Sequence, residues 1–318
     1  MKNLRSKGIY AALSSALFLG MTPIFGKRAI MTGASPLAVV AIRTTLAALV
    51  LLIIIAVFNR KFLFIYPAGL LGCLLAGWIN GLGSLFYYSA LGRIDAGVGQ
   101  LLYSLYPLFV ALWLFLDHQP PSKLTIFRLT IAVAAVYLLT QTGKTRIDTI
   151  GMIQMLISAA LYALHIPINQ RVLYDMPAPT VTVYTLLAMS AIVVPTFIFY
   201  PNAISNLPQN AAAWRPILGL TLVTFFSRLT LFLGIKHLGG MQTAVLGLSE
   251  LLITIVMAQV WLGEKLNLTQ WIGAVLLGSS LLLISLEKTP PKKKSPGGWL
   301  SWLSHPTLPS DLPWQPHE

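Results

Sequence analysis

Charged side chains inside long apolar stretches are the residues of this sequence best placed to do chemistry. Arg43, Arg228 and Glu250 each lie well within such a stretch. An ionisable group at the depth of a lipid bilayer is costly, and it commonly marks a substrate site, an ion pathway or a charge pair. These three residues are therefore the first candidates for a functional site.

The composition indicates an integral membrane protein. The chain has 318 residues, of which 56% are hydrophobic and 10% charged, and its mean hydropathy is +0.75. Soluble domains carry roughly 25% charged residues to cover their surface. Here the apolar residues are grouped in runs of about twenty, the length that crosses a hydrocarbon core as a helix.

Hydropathy and turn-forming residues predict an all-α integral membrane fold with ten transmembrane helices. In lipid every backbone polar group needs an internal partner, so these runs must be helices rather than open strands. The predicted segments are 9–26, 36–58, 68–91, 97–116, 124–142, 150–169, 179–200, 215–236, 243–262 and 269–287.

Basic residues set the predicted orientation. More of the Lys and Arg residues fall on the side of the N terminus than on the other, which places both termini in the cytoplasm of a multi-pass protein of the cytoplasmic (plasma) membrane. The net charge of +13 is thereby explained without nucleic acid as a partner. The first apolar run, although it follows basic residues as in a signal peptide, is interpreted as an uncleaved helix. The single cysteine, Cys73, excludes an intrachain disulfide and a multi-cysteine metal site.

The two halves of the chain repeat each other. Residues 96–142 align with 240–286, and residues 8–58 align with 151–200, so the rhythm of spans recurs with a period near 144. Five spans per copy is an odd number, so the second copy must be inverted in the membrane, as in many secondary transporters. We therefore expect two inverted five-helix repeats, residues 1–146 and 147–288.

The last segment, 289–318, is predicted to be a disordered cytoplasmic tail that contains Pro, Trp and Lys, because its repeated prolines preclude a regular helix. Its cluster Lys292–Lys294 could attract anionic lipid at the bilayer surface. The alternative, which we favour, is that the cluster serves only as an orientation signal.

Several stretches of the sequence form a recognisable set: Leu248-Ser-Glu250, Trp261-Leu-Gly263-Glu264-Lys265 continuing through Leu268 to Ala274, Tyr87 to Gly92 continuing to Leu105-Tyr-Pro107-Leu, Gly20 with Phe25-Gly-Lys27, and Arg43. Together they resemble the EamA-type carriers of the drug/metabolite transporter superfamily. The resemblance covers about residues 8–287. It implies two inverted five-helix repeats around a central substrate cavity, with no bound cofactor.

The resemblance fails at one point. Where the second half has Gly263-Glu264, the first half has Gln119-Pro120, so we expect that end of the first repeat to be shaped differently. The second half in turn has Leu251 where the first half has Pro107.

Helix positions give the three charged residues approximate depths. Arg228 and Glu250 lie at nearly one level, about 10 Å from the inner face, and Arg43 lies about 10 Å below the outer face. Arg228 and Glu250 are therefore hypothesised to pair in at least one conformation, either as a switch driven by substrate or a proton or as a static ion pair. Arg43 has no predicted acidic partner, which suits a carboxylate-bearing substrate. Snorkelling to the outer headgroups is its alternative.

Other polar residues within the spans are candidates of lower rank. His165 could relay protons, although capping of carbonyls freed by Pro167 is the favoured interpretation. Tyr106 occupies the repeat position equivalent to Glu250. The remaining cavity-lining candidates are Trp78, Asn80, Tyr103, Tyr162, Asn169 and Tyr184.

These features favour a secondary-active transporter over other classes. The sequence contains none of the common hydrolase, metal or nucleotide-binding motifs, so no enzymatic activity, metal or cofactor is expected. We expect alternating access for a small metabolite, such as an amino acid or another organic solute, with coupling to protons or exchange without an ion as the two alternatives. A non-transporting scaffold, a lipid-handling subunit and, less favoured, an intramembrane enzyme are the alternatives. No sequence pattern specifies the oligomeric state.

Overall fold

The computed structural model describes residues 2–94, 96–118, 120–139, 148–201, 207–208, 211–262, 268–283 and 299–300. Every regular element in these ranges is helical. The α-helices are α1 (Lys2–Met31), α2 (Pro36–Phe58), α3 (Pro67–Arg93), α4 (Ala96–Tyr103), α5 (Tyr106–Leu116), α6 (Lys123–Leu139), α7 (Thr149–Leu173), α8 (Ala178–Ile198), α9 (Ala211–Leu238), α10 (Gly240–Gly247), α11 (Ser249–Leu262) and α12 (Leu268–Leu282). A 3₁₀ turn, Arg60–Leu63, follows α2.

The helices confirm a multi-pass membrane protein. Helices α1, α2, α3, α7, α8 and α9, together with the stretch Gly240–Met257, are long and apolar enough to cross a bilayer. The other predicted segments are also helical but shorter. Segment 97–116 consists of α4 and α5, while 124–142 and 269–287 contain α6 and α12, which have 17 and 15 residues.

Two segments that were predicted as continuous helices are broken. The first break lies at Ser104–Leu105 between α4 and α5, and the second at Leu248 between α10 and α11. Pro107, which has no backbone N–H, accounts for part of the first break. The second break has Leu251 at the position equivalent to Pro107, so a proline does not interrupt the helix there. The Tyr106 hydroxyl donates a hydrogen bond to the Ala244 carbonyl beside this break.

The helix ends define two faces of the bundle. The N-terminal face is the end at which α1 begins: Gly8 lies against Leu238, and Lys236 Nζ donates to the Met176 carbonyl at 2.8 Å. On the opposite face, Lys27 Nζ donates to the Leu91 carbonyl at 2.9 Å. Long helices that follow one another in the chain through short loops therefore run in opposite directions.

The opposite face also holds the start of α7. Asp148 caps this helix through the backbone N–H groups of Ile150 and Gly151, and its carboxylate lies 3.3 Å from Arg93. The hydrogen bond from Gly151 is the main cause that lowers the pKa of the Asp148 carboxyl, and Arg93 contributes. An acidic residue at a helix N-terminus is a standard stabilising arrangement.

Two long helix pairs form the centre of the bundle. Helix α1 packs along α9, and Ser15 Oγ donates to the Ser227 carbonyl at 3.0 Å. Helix α7 packs along α3, and Ser158 Oγ donates to the Gly83 carbonyl at 2.7 Å. Each bond joins a serine of one half of the chain to a backbone carbonyl of the other half.

Gly77 provides the closest approach between α3 and α8. A Cβ atom at this position would lie 2.5 Å from Ala188 Cβ and 2.6 Å from the Thr185 carbonyl oxygen. At Gly81, one turn further along, the nearest atom would be the Met189 carbonyl oxygen at 3.2 Å. Small residues permit such close packing where lipid supplies no hydrophobic driving force.

Two residues of the predicted tail belong to the described part of the chain. Within the segment 289–318, Trp299 and Leu300 form a turn, and Leu300 is only 1% exposed. Leu300 packs against Ala76 and Ile168 of the bundle. The cluster Lys292–Lys294 lies outside the described residues, as do Gln119 and the pair Gly263-Glu264.

Replacing Gly77 by alanine should destabilise the protein, because the added methyl group overlaps the backbone of α8. Overpacking of this kind costs about 1–3 kcal/mol, so we expect a lower midpoint of thermal unfolding in detergent. Gly92→Ala on the same helix is the matched control, since Gly92 is exposed and only Pro36 Cγ, at 3.3 Å, lies near its Cβ position. Equal midpoints for the two variants would contradict the close α3–α8 contact.

Candidate functional site

A small polar cavity lies between α1, α2, α3, α4, α7, α9 and α11. Its volume is about 30 Å³, which is room for about two water molecules. The lining residues are Leu19, Thr22, Arg43, Asn80, Gly83, Ser84, Tyr87, Tyr88, Gln100, Tyr103, Ser158, Tyr162, Ser227, Arg228 and Glu250. Hydroxyl, amide and charged groups thus converge inside an otherwise apolar bundle.

The cavity brings together six of the residues selected from the sequence: Arg43, Asn80, Tyr103, Tyr162, Arg228 and Glu250. Trp78 instead lies on the outer side of α3, where its side chain is 43% exposed. Tyr184 lies at the N-terminal face and donates to the Leu63 carbonyl at 2.7 Å. Periodicity explains the difference on α3, because Trp78 and Asn80 are two residues apart and so point to different sides of the helix.

Arg43 is held inside the bundle. It is 4% exposed, and its Nη1 and Nη2 atoms donate to Thr224 Oγ1 at 2.9 Å and to Ser84 Oγ at 3.4 Å. Its guanidinium carbon lies 4.7 Å from the centre of the Tyr88 ring, a cation–π contact. The snorkelling alternative is therefore wrong for this conformation. Within the described ranges, its Nε donor has no hydrogen-bond partner.

Arg228 is the second buried cation of the cavity. Its Nη2 atom donates to Asn80 Oδ1 at 3.5 Å, and its guanidinium carbon lies 5.4 Å from the centre of the Tyr162 ring. Among the described residues, Nη1 has no hydrogen-bond partner. A planar guanidinium with an unused donor suits the recognition of a carboxylate.

Glu250 is the buried acid of the cavity. It is 1% exposed and lies beside the Gln100 side chain, whose Oε1 atom accepts a hydrogen bond from Tyr87 at 3.2 Å. Its Oε1 atom has no hydrogen-bond partner on any residue that the structure describes. Within the part of the chain that the structure describes, no ion pair joins Glu250 to Arg228. The pair hypothesised for at least one conformation is not formed in this one.

Comparison with known proteins identifies the family. The sequence model of the EamA-like transporter family matches two parts of the chain, residues 6–141 and 149–286. The chain belongs to the EamA-like transporter family. The resemblance noted in the sequence is thereby confirmed.

Two curated relatives of this EamA-like chain are named as transporters. An uncharacterized transporter of Synechocystis sp., sll1319, is 25% identical over 228 residues, which cover 70% of this chain and 67% of that protein. An uncharacterized transporter of Bacillus subtilis, YcbK, is 24% identical over 200 residues, 60% of this chain and 64% of that protein. The match thus spans about two thirds of the length of each relative. A solved crystal structure with 16% identity superposes with a TM-score of 0.70 over 88% of this chain and 97% of the other, which supports the fold alone.

Tyr106 packs against the second helix break of this EamA-like fold. At the break, the Leu248 N–H bonds to the Val245 carbonyl at 3.3 Å instead of continuing the α-helical ladder. The Ala244 carbonyl thereby loses its helical donor, and Tyr106 Oη donates to it at 3.0 Å. Gly247 leaves room for the Tyr106 hydroxyl, which a Cβ atom would displace. Because α11 begins directly after the break, Glu250 lies in its first turn, where free N–H groups favour a carboxylate.

His165 and Asn169 lie on α7 behind the cavity wall. His165 is fully buried, and its Nδ1 atom contacts the Tyr162 carbonyl, next to the Ala163 carbonyl that loses its helical donor to Pro167. Asn169 Nδ2 donates to the His165 carbonyl at 3.0 Å. The two side chains therefore serve backbone carbonyls around the proline, and neither lines the cavity.

Sequence reasoning missed several lining residues: Ser84, Tyr87, Tyr88, Gln100, Ser158 and Ser227. Tyr87 and Tyr88 belong to a stretch that carried the family resemblance, yet nothing in their spacing assigned them to the cavity. The serines and Gln100 are polar residues within apolar runs, and that placement was the available signal.

A buried ion pair at the N-terminal face was also missed. Arg171 at the end of α7 binds Asp117 after α5, with Nη2 at 2.7 Å and Nε at 3.0 Å from Asp117 Oδ2, and both side chains are almost fully buried. Helix α5 ends there because His118 adopts a left-handed conformation with φ of 56°. No pattern in the sequence linked Arg171 to Asp117.

Replacing Tyr106 by phenylalanine should destabilise the fold, because the Ala244 carbonyl would remain buried without a donor. A neutral hydrogen bond of this kind contributes about 1 kcal/mol, which should lower the thermal midpoint in detergent. Tyr88→Phe is the matched control: its hydroxyl is buried without a hydrogen-bond partner, and phenylalanine keeps the ring beneath Arg43. If Tyr88→Phe costs as much as Tyr106→Phe, the capping role of Tyr106 is wrong.

Proposed function

We propose that this protein is a secondary transporter for a small carboxylate-bearing solute, which it moves through the central cavity by alternating access. The observation that carries the proposal is the convergence of three buried charged side chains on one cavity, each with a polar atom that lacks a partner. A static structural network would leave fewer buried polar atoms unsatisfied. A site that exchanges partners during a transport cycle requires such atoms.

Two inverted five-helix repeats, residues 1–146 and 147–288, form the proposed framework of the cycle. The helix breaks support this framework, since Ser104 and Leu248 are 144 positions apart. The serine bonds also support it, because Ser158 follows Ser15 by 143 positions and the acceptor Ser227 follows Gly83 by 144. The family matches in both halves of the chain agree with this division. In such transporters the repeats rock about a central site.

The charge of the cavity indicates the chemistry of the solute. Two guanidinium groups against one carboxylate leave an excess of one positive charge when Glu250 is ionised. The arginines would bind a carboxylate, and Glu250 would bind an ammonium group or a proton. An amino acid or another organic acid fits this arrangement. With about 30 Å³ of space the present conformation is contracted, so solute entry requires the repeats to move apart.

Glu250 is the proposed coupling residue. When it is protonated, Arg228 remains free for the carboxylate of the solute; when it is ionised, it can attract Arg228 across the cavity. The two states would therefore favour different arrangements of α9 and α11. Transport driven by a proton gradient follows from this exchange, and no metal or cofactor enters the scheme.

Glu250→Gln should abolish gradient-driven uptake while keeping the fold, because glutamine cannot exchange a proton. The assay is uptake into proteoliposomes from a mixture of amino acids and carboxylic acids, with a proton gradient and mass-spectrometric detection. Leu82→Ala, which alters a side chain on the outer side of α3, is the control and should transport like the wild type. Wild-type uptake by Glu250→Gln would rule out the coupling role, and no uptake by the wild type would favour a scaffold or lipid-handling protein.

Both termini should lie on the same, cytoplasmic side of the plasma membrane, since ten spans return the chain to its starting side. Reporter fusions after Lys7 and after Glu318 test this arrangement. Equal cytoplasmic signals are expected because the positively charged loops are retained inside. Signals from opposite sides of the membrane would mean an odd total number of spans, which two five-helix repeats cannot give.

A further inference from the structure

A pocket at the N-terminal face contains a residue of the C-terminal segment. Leu300 is 1% exposed and packs against Ala76 of α3 and Ile168 of α7, with Ile79 and Leu164 at the edge of the contact. Trp299 lies beside Trp113 of α5, with 6.5 Å between ring centres. A segment distant in sequence thus contacts three helices at once.

The pocket also binds the backbone of the segment. The Leu300 N–H donates to Asp117 Oδ1 at 3.1 Å, while Asp117 Oδ2 accepts from Arg171. One buried carboxylate therefore joins the end of α5, the end of α7 and the tail. Because any residue except proline supplies a backbone N–H, selectivity for this position must come from the leucine side chain in its apolar seat.

The three contacted helices also support the cavity. Ala76 lies one turn before Asn80 on α3, so both residues share a face of the helix. Helix α7 carries Tyr162 of the cavity wall, and α5 begins at Tyr106, whose ring centre lies 5.0 Å from that of Tyr162. Opening of the N-terminal face by separation of these helices would break the Leu300 contacts.

The repeat-equivalent place on the opposite face is built differently. An offset of 144 positions relates Asp117 to Trp261, and an offset of 143 relates Phe25 to Ile168. The rings of Phe25 and Trp261 meet edge to face, with 5.6 Å between their centres. An aromatic contact there replaces the carboxylate that binds the tail. The site for Leu300 is therefore a property of one face and not of the duplicated architecture.

From this geometry we infer that the ends of α3, α5 and α7 form a binding site for the chain's own Trp299–Leu300 segment, and that its occupation holds the N-terminal face closed. Release of the tail is then a step in opening this face. The docking itself stands independently, whereas its effect on solute movement rests on the proposed transport function.

The test uses the full chain in proteoliposomes and its single native cysteine. Cys73 is buried on α3, close in sequence to Ala76, and so its reactivity can report opening of this face without an introduced cysteine. Leu300→Asp places a charge in the apolar seat, and Leu308→Asp makes the same change elsewhere in the tail. We expect maleimide labelling of Cys73 in Leu300→Asp to be about tenfold faster than in the wild type or Leu308→Asp. Equal rates in all three proteins would overturn the inference that the docked segment holds this face closed.

A cross-link tests the docked state directly and separates it from transport. In a Cys73→Ala background, Ala76→Cys and Leu300→Cys should form an oxidant-dependent cross-link in membranes, whereas Leu82→Cys, on the outer side of α3, with Leu300→Cys should not. The cross-linked protein should lose solute counterflow and regain it after reduction. A cross-link that leaves counterflow unchanged would overturn the gating role, and failure of the first pair to cross-link would overturn docking. If the wild-type protein shows no counterflow although the cross-link still forms, the transport proposal is wrong and the docking stands.

Discussion

The cost of an unsatisfied polar group in hydrocarbon is the constraint on which the rest of this structure depends. Lipid cannot solvate Arg43, Arg228 or Glu250, so each must be turned toward the centre of the bundle. The cavity results from this requirement. Ring faces, hydroxyl groups and amides replace the missing water around the two cations, as Tyr88 and Thr224 do for Arg43. The same requirement makes the remaining free atoms of these groups suited to a polar solute.

The constraint applies equally to the backbone. A helix break inside a membrane protein exposes carbonyl groups that must find new donors, and the break at Leu248 finds one in Tyr106 from the other half of the chain. The break places Glu250 at the start of a new helix, where N–H groups without helical acceptors are concentrated. The break at Leu248 thus creates both the free carbonyl that Tyr106 binds and the helix start at which Glu250 lies.

Duplication does not make the two faces of the bundle equivalent. The N-terminal face is joined by the Asp117–Arg171 ion pair, and the corresponding place on the opposite face by the contact of Phe25 with Trp261. A buried ion pair demands exact partners, whereas aromatic rings can slide past each other with smaller loss. The two faces are therefore joined by contacts of different chemistry.

The sequence by itself determined the membrane class, the helical segments and the buried charges, because hydropathy over twenty residues is a local property. Membership of the family was also readable from local stretches around Glu250 and Tyr87. Only the tertiary structure decided which polar residues meet. Trp78 and Asn80 both lie deep in α3, yet packing against neighbouring helices sends one outward and the other into the cavity. The contacts of Leu300 are also decided by the tertiary structure, because they join residues more than 100 positions apart that no local sequence pattern brings together.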